Sequence, residues 1–211
     1  MICSRRAFIN KTSSFATGLL GLQAISAVGK NSQEHPGYGK LLKDKSGILD
    51  LPKNFSYKII GRSGEKMTDG FFLPGKPDGM AAFQGINKNE VVLIRNHEID
   101  PNASFSTGPF GKRNEMIKNL PEENIYDRGK NSPCMGGTTT VVYNVRIQKV
   151  VRQFLSLTGT LRNCAGGPTP WDTWISCEET VVSSGGSCSQ DHGWCFEVPV
   201  SEKPLLAKPV P

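Results

Sequence analysis

Two stretches decide how this chain folds: Glu90-Val-Val-Leu-Ile-Arg-Asn-His-Glu98 and Trp171-Asp-Thr-Trp-Ile-Ser-Cys-Glu-Glu179. Each is an apolar run that ends in acid. Each is then followed by a Gly-led run of strand-forming residues, Gly137-Thr-Thr-Thr-Val-Val-Tyr143 after the first and Gly193-Trp-Cys-Phe-Glu-Val198 after the second. Val, Ile, Tyr, Phe and Thr suit a pleated, half-buried surface, and their clustering predicts strands at 55–60, 80–83, 91–96, 138–145 and 150–157. No long amphipathic helix is visible; residues 114–124 have room for a turn or two. The segment 99–136 is polar and rich in Pro and Gly, and loops of that length are usually functional or disordered.

The fold class is therefore all-β. Repetition of a strand unit predicts a β-propeller, with residues 79–157 as one four-stranded blade enlarged by an insertion and a second blade beginning near Leu161. A propeller needs about four to eight blades to close. Residues 47–211 are expected to hold only about the first two, a partial propeller whose C-terminal blades are missing.

Residues 1–29 read as a signal peptide. Arg5 and Arg6 follow Ser4 and precede Phe8, Ile9 and a mild apolar stretch, a pattern similar to the twin-arginine export signal. Ala27 and Gly29 are small enough for a peptidase site, and residues 30–46 form an extended lead-in. The alternative is an uncleaved anchor, but a spanning helix needs about 20 clearly apolar residues, so no stable membrane anchor is expected. Half of the net charge of +6 over 211 residues lies in the leader, since Arg5, Arg6 and Lys11 supply +3 of it. No nucleic-acid partner is expected from what remains.

Cysteine parity points to one residue. Of 6 cysteines, Cys3 leaves with the leader, and an odd number remains. Cys188 and Cys195 flank a short polar stretch and are expected to staple a hairpin; Cys134 with Cys177 is a looser pairing. Cys164 is then the free thiol. No Gly-x-Ser-x-Gly elbow, Walker loop, His-Glu-x-x-His or Cys-x-x-Cys motif occurs, which sets aside serine hydrolysis and zinc proteolysis.

An ordered set of motifs runs along the chain: Gly37-Tyr-Gly, Gly47-Ile-Leu-Asp-Leu-Pro, Pro77-Asp-Gly-Met-Ala-Ala-Phe83, Arg95-Asn-His-Glu98, Gly136-Gly-Thr-Thr-Thr140, Leu157-Thr-Gly-Thr-Leu-Arg-Asn-Cys-Ala-Gly-Gly-Pro-Thr-Pro-Trp171 and Cys177-Glu-Glu-Thr180. This set resembles the PhoX-type alkaline phosphatases. The resemblance implies an exported, periplasmic or secreted hydrolase of phosphate monoesters, with Fe3+ and Ca2+ at the centre of a propeller and the twin-arginine machinery as its export partner. It also implies that Cys164, in Asn-Cys-Ala-Gly-Gly, is an iron ligand; thiolate suits iron, whereas calcium prefers oxygen.

Glu98 ends a strand and is a candidate oxygen ligand. Glu178 and Glu179 are adjacent, so pleating sends them to opposite faces. Either one binds metal while the other caps the loop, or a bulge turns both inward; alignment of the two echoing strands favours Glu179. Arg162, Asn163 and the Gly166-Gly167 backbone surround Cys164 and are candidates for cradling a phosphoryl group. Asp78 in Pro-Asp-Gly is explained by a turn, and His97 and His192 are expected to make structural hydrogen bonds. Two rival readings stand beside the phosphatase: an inactive truncated fragment, and a non-catalytic, disulfide-stapled β binding module.

Overall fold

The computed structural model describes residues 37–204 and 206. The signal peptide and the first part of the lead-in lie outside the described residues. The chain divides into two compact units, 1–58 and 59–211.

In the first unit, β1 (Leu41–Leu42) pairs antiparallel with β2 (Leu51–Pro52). The Asp44 carboxylate organises the turn between them, accepting the Ser46 and Ile48 amides and the Tyr57 hydroxyl. These bonds, Tyr57 foremost, hold its carboxyl down at about 2. The strand expected at 55–60 does not form. Phe55, Tyr57 and Ile59 are exposed, and an alternating pattern with no partner strand to pair against has nothing to bury it.

The second unit is all-β. Strands β3 (Pro77–Gln84), β4 (Glu90–His97), β5 (Gly136–Asn144) and β6 (Lys149–Thr160) form an antiparallel meander in chain order. Strands β7 (Asn163–Pro168), β8 (Thr173–Glu178) and β9 (Cys195–Pro199) form a second sheet, also in chain order. The echo seen in the sequence corresponds to β4 with β5 and to β8 with β9. The Cys-Ala-Gly-Gly-Pro run, for which the sequence predicts no strand, is strand β7.

The two sheets share one core. Val92 and Ile94 of β4, Val142 of β5 and Phe154 and Leu157 of β6 pack with Trp174, Phe196 and Val198 of the second sheet. Alternation along β4 puts Val92, Ile94 and Asn96 on the buried face. The segment 99–136 is no free loop: it makes three single 3-10 turns, Phe105–Thr107, Ile117–Asn119 and Glu122–Asn124. It buries Ile99, Phe110, Leu120, Ile125 and Met135 against Met67, Leu73 and Leu155.

The outer edge of β6 is occupied by side chains. The Thr68 amide and hydroxyl both donate to the Gln153 carbonyl, the Gln153 amide donates back to the Thr68 hydroxyl, and the Leu155 amide donates to the Asp69 carboxylate.

Asn96 joins the sheets. Its side chain is fully buried at the end of β4. Its oxygen accepts the Trp174 indole N–H at 2.9 Å and the Ser176 hydroxyl at 2.8 Å, both from β8. Its NH2 donates to the carbonyls of Cys164 (2.9 Å) and Ala165 (3.1 Å) on β7. Asn163 extends the chain, accepting the Thr160 hydroxyl and donating to Ser176 Oγ. Gly79 lets the sheets meet here, because a Cβ at that position would stand 2.5 Å from the Cys164 carbonyl oxygen. Next to Asn96, His97 is buried and neutral: Nδ1–H donates to the Gly75 carbonyl and Nε2 accepts the Thr139 hydroxyl. Burial, with a smaller contribution from the Arg95 charge, lowers its pKa to about 3.

Asn96→Ala strands two donors and two acceptors in the core, and chemical denaturation is expected to show a loss of about 2–4 kcal/mol. For His97, the unfolded chain takes up a proton near the ordinary imidazole value while the folded chain resists until about pH 3. Acidification through that window therefore lowers stability by at most about 1.4 kcal/mol per pH unit. A His97→Gln variant is expected to lose this component, so the difference between the two stability–pH curves isolates it.

Candidate functional site

At the seam held by Asn96, three elements deliver anionic donors to one place. Asp78 comes from the start of β3, Glu98 from the residue after β4, and Cys164 from β7. One carboxylate oxygen of each acid and the Cys164 sulfur all lie within 4.8 Å of one another. The local reasons are visible in the backbone. β3 and β4 shift register between Pro77 and Met80, which frees Asp78 from the ladder. Glu98 is anchored by its amide to the Lys76 carbonyl, and Cys164 is held through its own carbonyl by Asn96. Cys164 and Glu98 are half-buried and Asp78 is exposed, so the group opens to solvent.

Electrostatics make this a place for a cation. Partial burial and the nearby carboxylates of Asp78, Glu179 and Glu98 push the Cys164 thiol up to about 11. Without positive charge the sulfur stays protonated; a metal ion would reverse that balance. Arg162, in a left-handed conformation with φ of 45° at the β6–β7 turn, supplies the nearby positive charge. Its guanidinium lies 3.4 Å from Glu98, 3.6 Å from Asp100 and 3.8 Å from Glu179.

The adjacent acids part company. Glu179 is 63% exposed and faces Arg162. Glu178 points the other way and is saturated: Oε1 accepts the Leu161 amide and His192 Nδ1–H, and Oε2 accepts the Gly193 and Trp194 amides. Glu178 is therefore withdrawn from the candidate ligand set, its oxygens being committed to the loop before β9. Asp78, assigned from sequence to a turn alone, belongs to the set; its Pro-Asp-Gly context hid it.

The phosphoryl cradle is also revised. Asn163 is fully buried and its amide is engaged by Thr160 and Ser176, which keeps it away from a ligand. Gly166 is small for packing: a Cβ there would stand 1.8 Å from the Ile175 carbonyl oxygen. Gly167 faces open space among the described residues, and Arg162 borders the acids. The expected Cys188–Cys195 staple is not what the fold brings together. Cys195 sits opposite Cys177 in the β8–β9 register, sulfurs 2.7 Å apart, while Cys188 is buried with Cys134. A cleft of about 410 Å³ between Phe72, Phe105, Gly108 and Lys112 lies apart from these residues and gathers no set of metal donors.

A family model described as alkaline phosphatase PhoX matches residues 36–211. The chain belongs to the PhoX alkaline phosphatase family. An alkaline-phosphatase-like function follows at the level of the family, which is metal-dependent. Neither the curated proteins nor the solved structures compared with the chain give a match. The Cys164 group is one of the sets of residues that could hold a metal ion: it offers one soft and two hard anionic donors, and burial with the nearby carboxylates raises the thiol. No helix among the described residues is long and apolar enough to cross a membrane.

Gly166 and Gly167 separate packing from ligand access. Gly166→Ala is expected to cost more than about 2 kcal/mol by forcing β7 off β8, whereas Gly167→Ala stays within about 0.5 kcal/mol. Thermal unfolding of the two variants checks this.

Proposed function

We propose that the chain is part of an exported phosphomonoesterase that acts on phosphate monoesters with an Fe3+/Ca2+ centre. The reading rests on one observation above all, the convergence of Cys164, Glu98 and Asp78 on a seam of the PhoX-family region. Cys164 would hold iron, since thiolate is the soft donor of the set; Glu98, Asp78 and Glu179 would give carboxylate oxygen to iron or calcium. The two sheets of the second unit would be the first two blades of a propeller, with this seam facing its centre. Bound metal would supply Lewis acidity toward the phosphoryl oxygens.

The chain's own residues do the rest. Asn96 fixes the backbone on which the thiol is mounted. Arg162 shares its charge among Glu98, Asp100 and Glu179; with those acids committed to a metal, its planar fork would be suited to a phosphoryl oxygen. Lys76 pairs with the other oxygen of the same Asp100 carboxylate. The leader would deliver the protein through the twin-arginine machinery to the periplasm or medium.

Supplied with iron and calcium, the full-length protein of which this chain is part is expected to hydrolyse a chromogenic phosphate monoester. Cys164→Ala should lower kcat/KM by at least about 100-fold, the equivalent of several kcal/mol of charge stabilisation. Equal rates in the two proteins would remove the thiolate from the mechanism.

A further inference from the structure

A second convergence of donors lies in the same unit and has no part in the phosphatase reading. Asp127 and Cys134 come from the loop that leads into β5. Cys188 and His192 come from the connection between β8 and β9. All four residues are buried, and one donor atom from each lies within 4.8 Å of the others. Cys134 Sγ is 3.6 Å from His192 Nε2 and 3.8 Å from Asp127 Oδ2, and those last two atoms are 3.1 Å apart.

These separations are those of a tetrahedron's edges. Bonds of about 2.3 Å to sulfur and about 2.0–2.1 Å to nitrogen and oxygen place sulfur about 3.6 Å from either lighter donor, and nitrogen about 3.4 Å from oxygen. The surroundings complete the pattern. Glu178 Oε1 accepts His192 Nδ1–H at 2.7 Å, which orients the ring so that Nε2, once it gives up the proton it donates to Asp127, presents its lone pair to a metal. The free oxygen of Asp127 is steadied by the Gly129 amide, while the Ser189 and Gln190 amides bring the second loop onto Oδ2. Leu161 and Val182 pack over the sulfurs, and the Tyr126 ring meets His192 edge-on. Asp127 and Glu178, whose side chains have no solvent exposure, have a single imidazole between them, so the buried group carries an excess of negative charge.

We infer that Asp127, Cys134, Cys188 and His192 bind a structural zinc(II) ion, distinct from the Cys164 group. Binding forms two sulfur–zinc, one nitrogen–zinc and one oxygen–zinc bond and releases the two thiol protons and the His192 Nε2 proton to solvent; no oxidant is required. The ion ties the exit of the 99–136 segment to the β8–β9 connection. Through Glu178 it also steadies the Leu161–Arg162 turn that precedes Cys164, since Leu161 N–H donates to the same carboxylate oxygen.

Cobalt(II) reports on this site without any assay of activity. In a Cys164→Ser background, the reduced and metal-stripped full chain is expected to take up one equivalent with an intense tetrahedral visible spectrum and a thiolate charge-transfer band, displaced by zinc. Cys188→Ser and His192→Ala should abolish that spectrum, Cys177→Ser should leave it intact, and Glu178→Gln should weaken binding about 10- to 100-fold. Circular dichroism on each apo variant identifies any that fail to fold, and elemental analysis of the native protein should find zinc. A Cys134–Cys188 disulfide in peptide maps of the native protein would overturn the inference. So would a weak octahedral cobalt spectrum, or a charge-transfer band that survives Cys188→Ser. Loss of phosphatase activity plays no part in these readouts, so the two assignments stand or fall separately.

Discussion

The second unit depends on a single buried amide. Asn96 carries two donors and two acceptors' worth of hydrogen bonding into a core otherwise built of Val, Ile, Leu, Phe and Trp, and every one of those bonds is made. Apolar packing would hold the two sheets together in many relative offsets; a polar group that must be satisfied by Trp174, Ser176, Cys164 and Ala165 at once admits one. Because two of its partners are the carbonyls of the Cys164 strand, the constraint that sets the sheet offset also sets where the thiol lies. Thr160 and Asn163 carry the same requirement to the end of β6. Fold and candidate site are thus fixed by the same few atoms.

Neighbouring residues with similar chemistry receive opposite assignments here. Glu178 and Glu179 differ by one peptide unit, yet one is enclosed with four donors around its oxygens and the other faces Arg162 in solvent. His97 and Glu98 divide in the same way: the imidazole is consumed by Gly75 and Thr139, and the carboxylate joins the open group. At each strand end pleating gives one side chain to the interior and the next to the site.

Much of this was legible in the residues themselves. Apolar runs bounded by Gly placed β3 to β6, β8 and β9 within a few positions, since β-branched and aromatic residues seldom cluster that way outside strands. Glu98 and Cys164 were visible as site candidates, one by its strand end and the other by parity and motif. What stayed hidden depended on distant partners. Strand β7 is made of Cys, Ala, Gly and Pro, a turn-like composition that becomes a strand only because β8 pairs with it. Asp78 looks like a turn former until a register shift opposite β4 releases it. Cys188 has Cys195 as its nearest cysteine in sequence, yet chain reversal at 179–194 brings it to Cys134. Residues 55–60 carry strand chemistry but join no strand ladder among the described residues, and propensity alone yields no ladder.

The side chains along β6 have a bearing on assembly. A long outer strand with bare amides and carbonyls is an invitation to β-augmentation, whether by a peptide or by another copy of the chain. Thr68 and Asp69 answer those groups from within the same molecule, around Gln153 and Leu155. Two small polar residues thus blind this stretch of the strand to pairing with another chain.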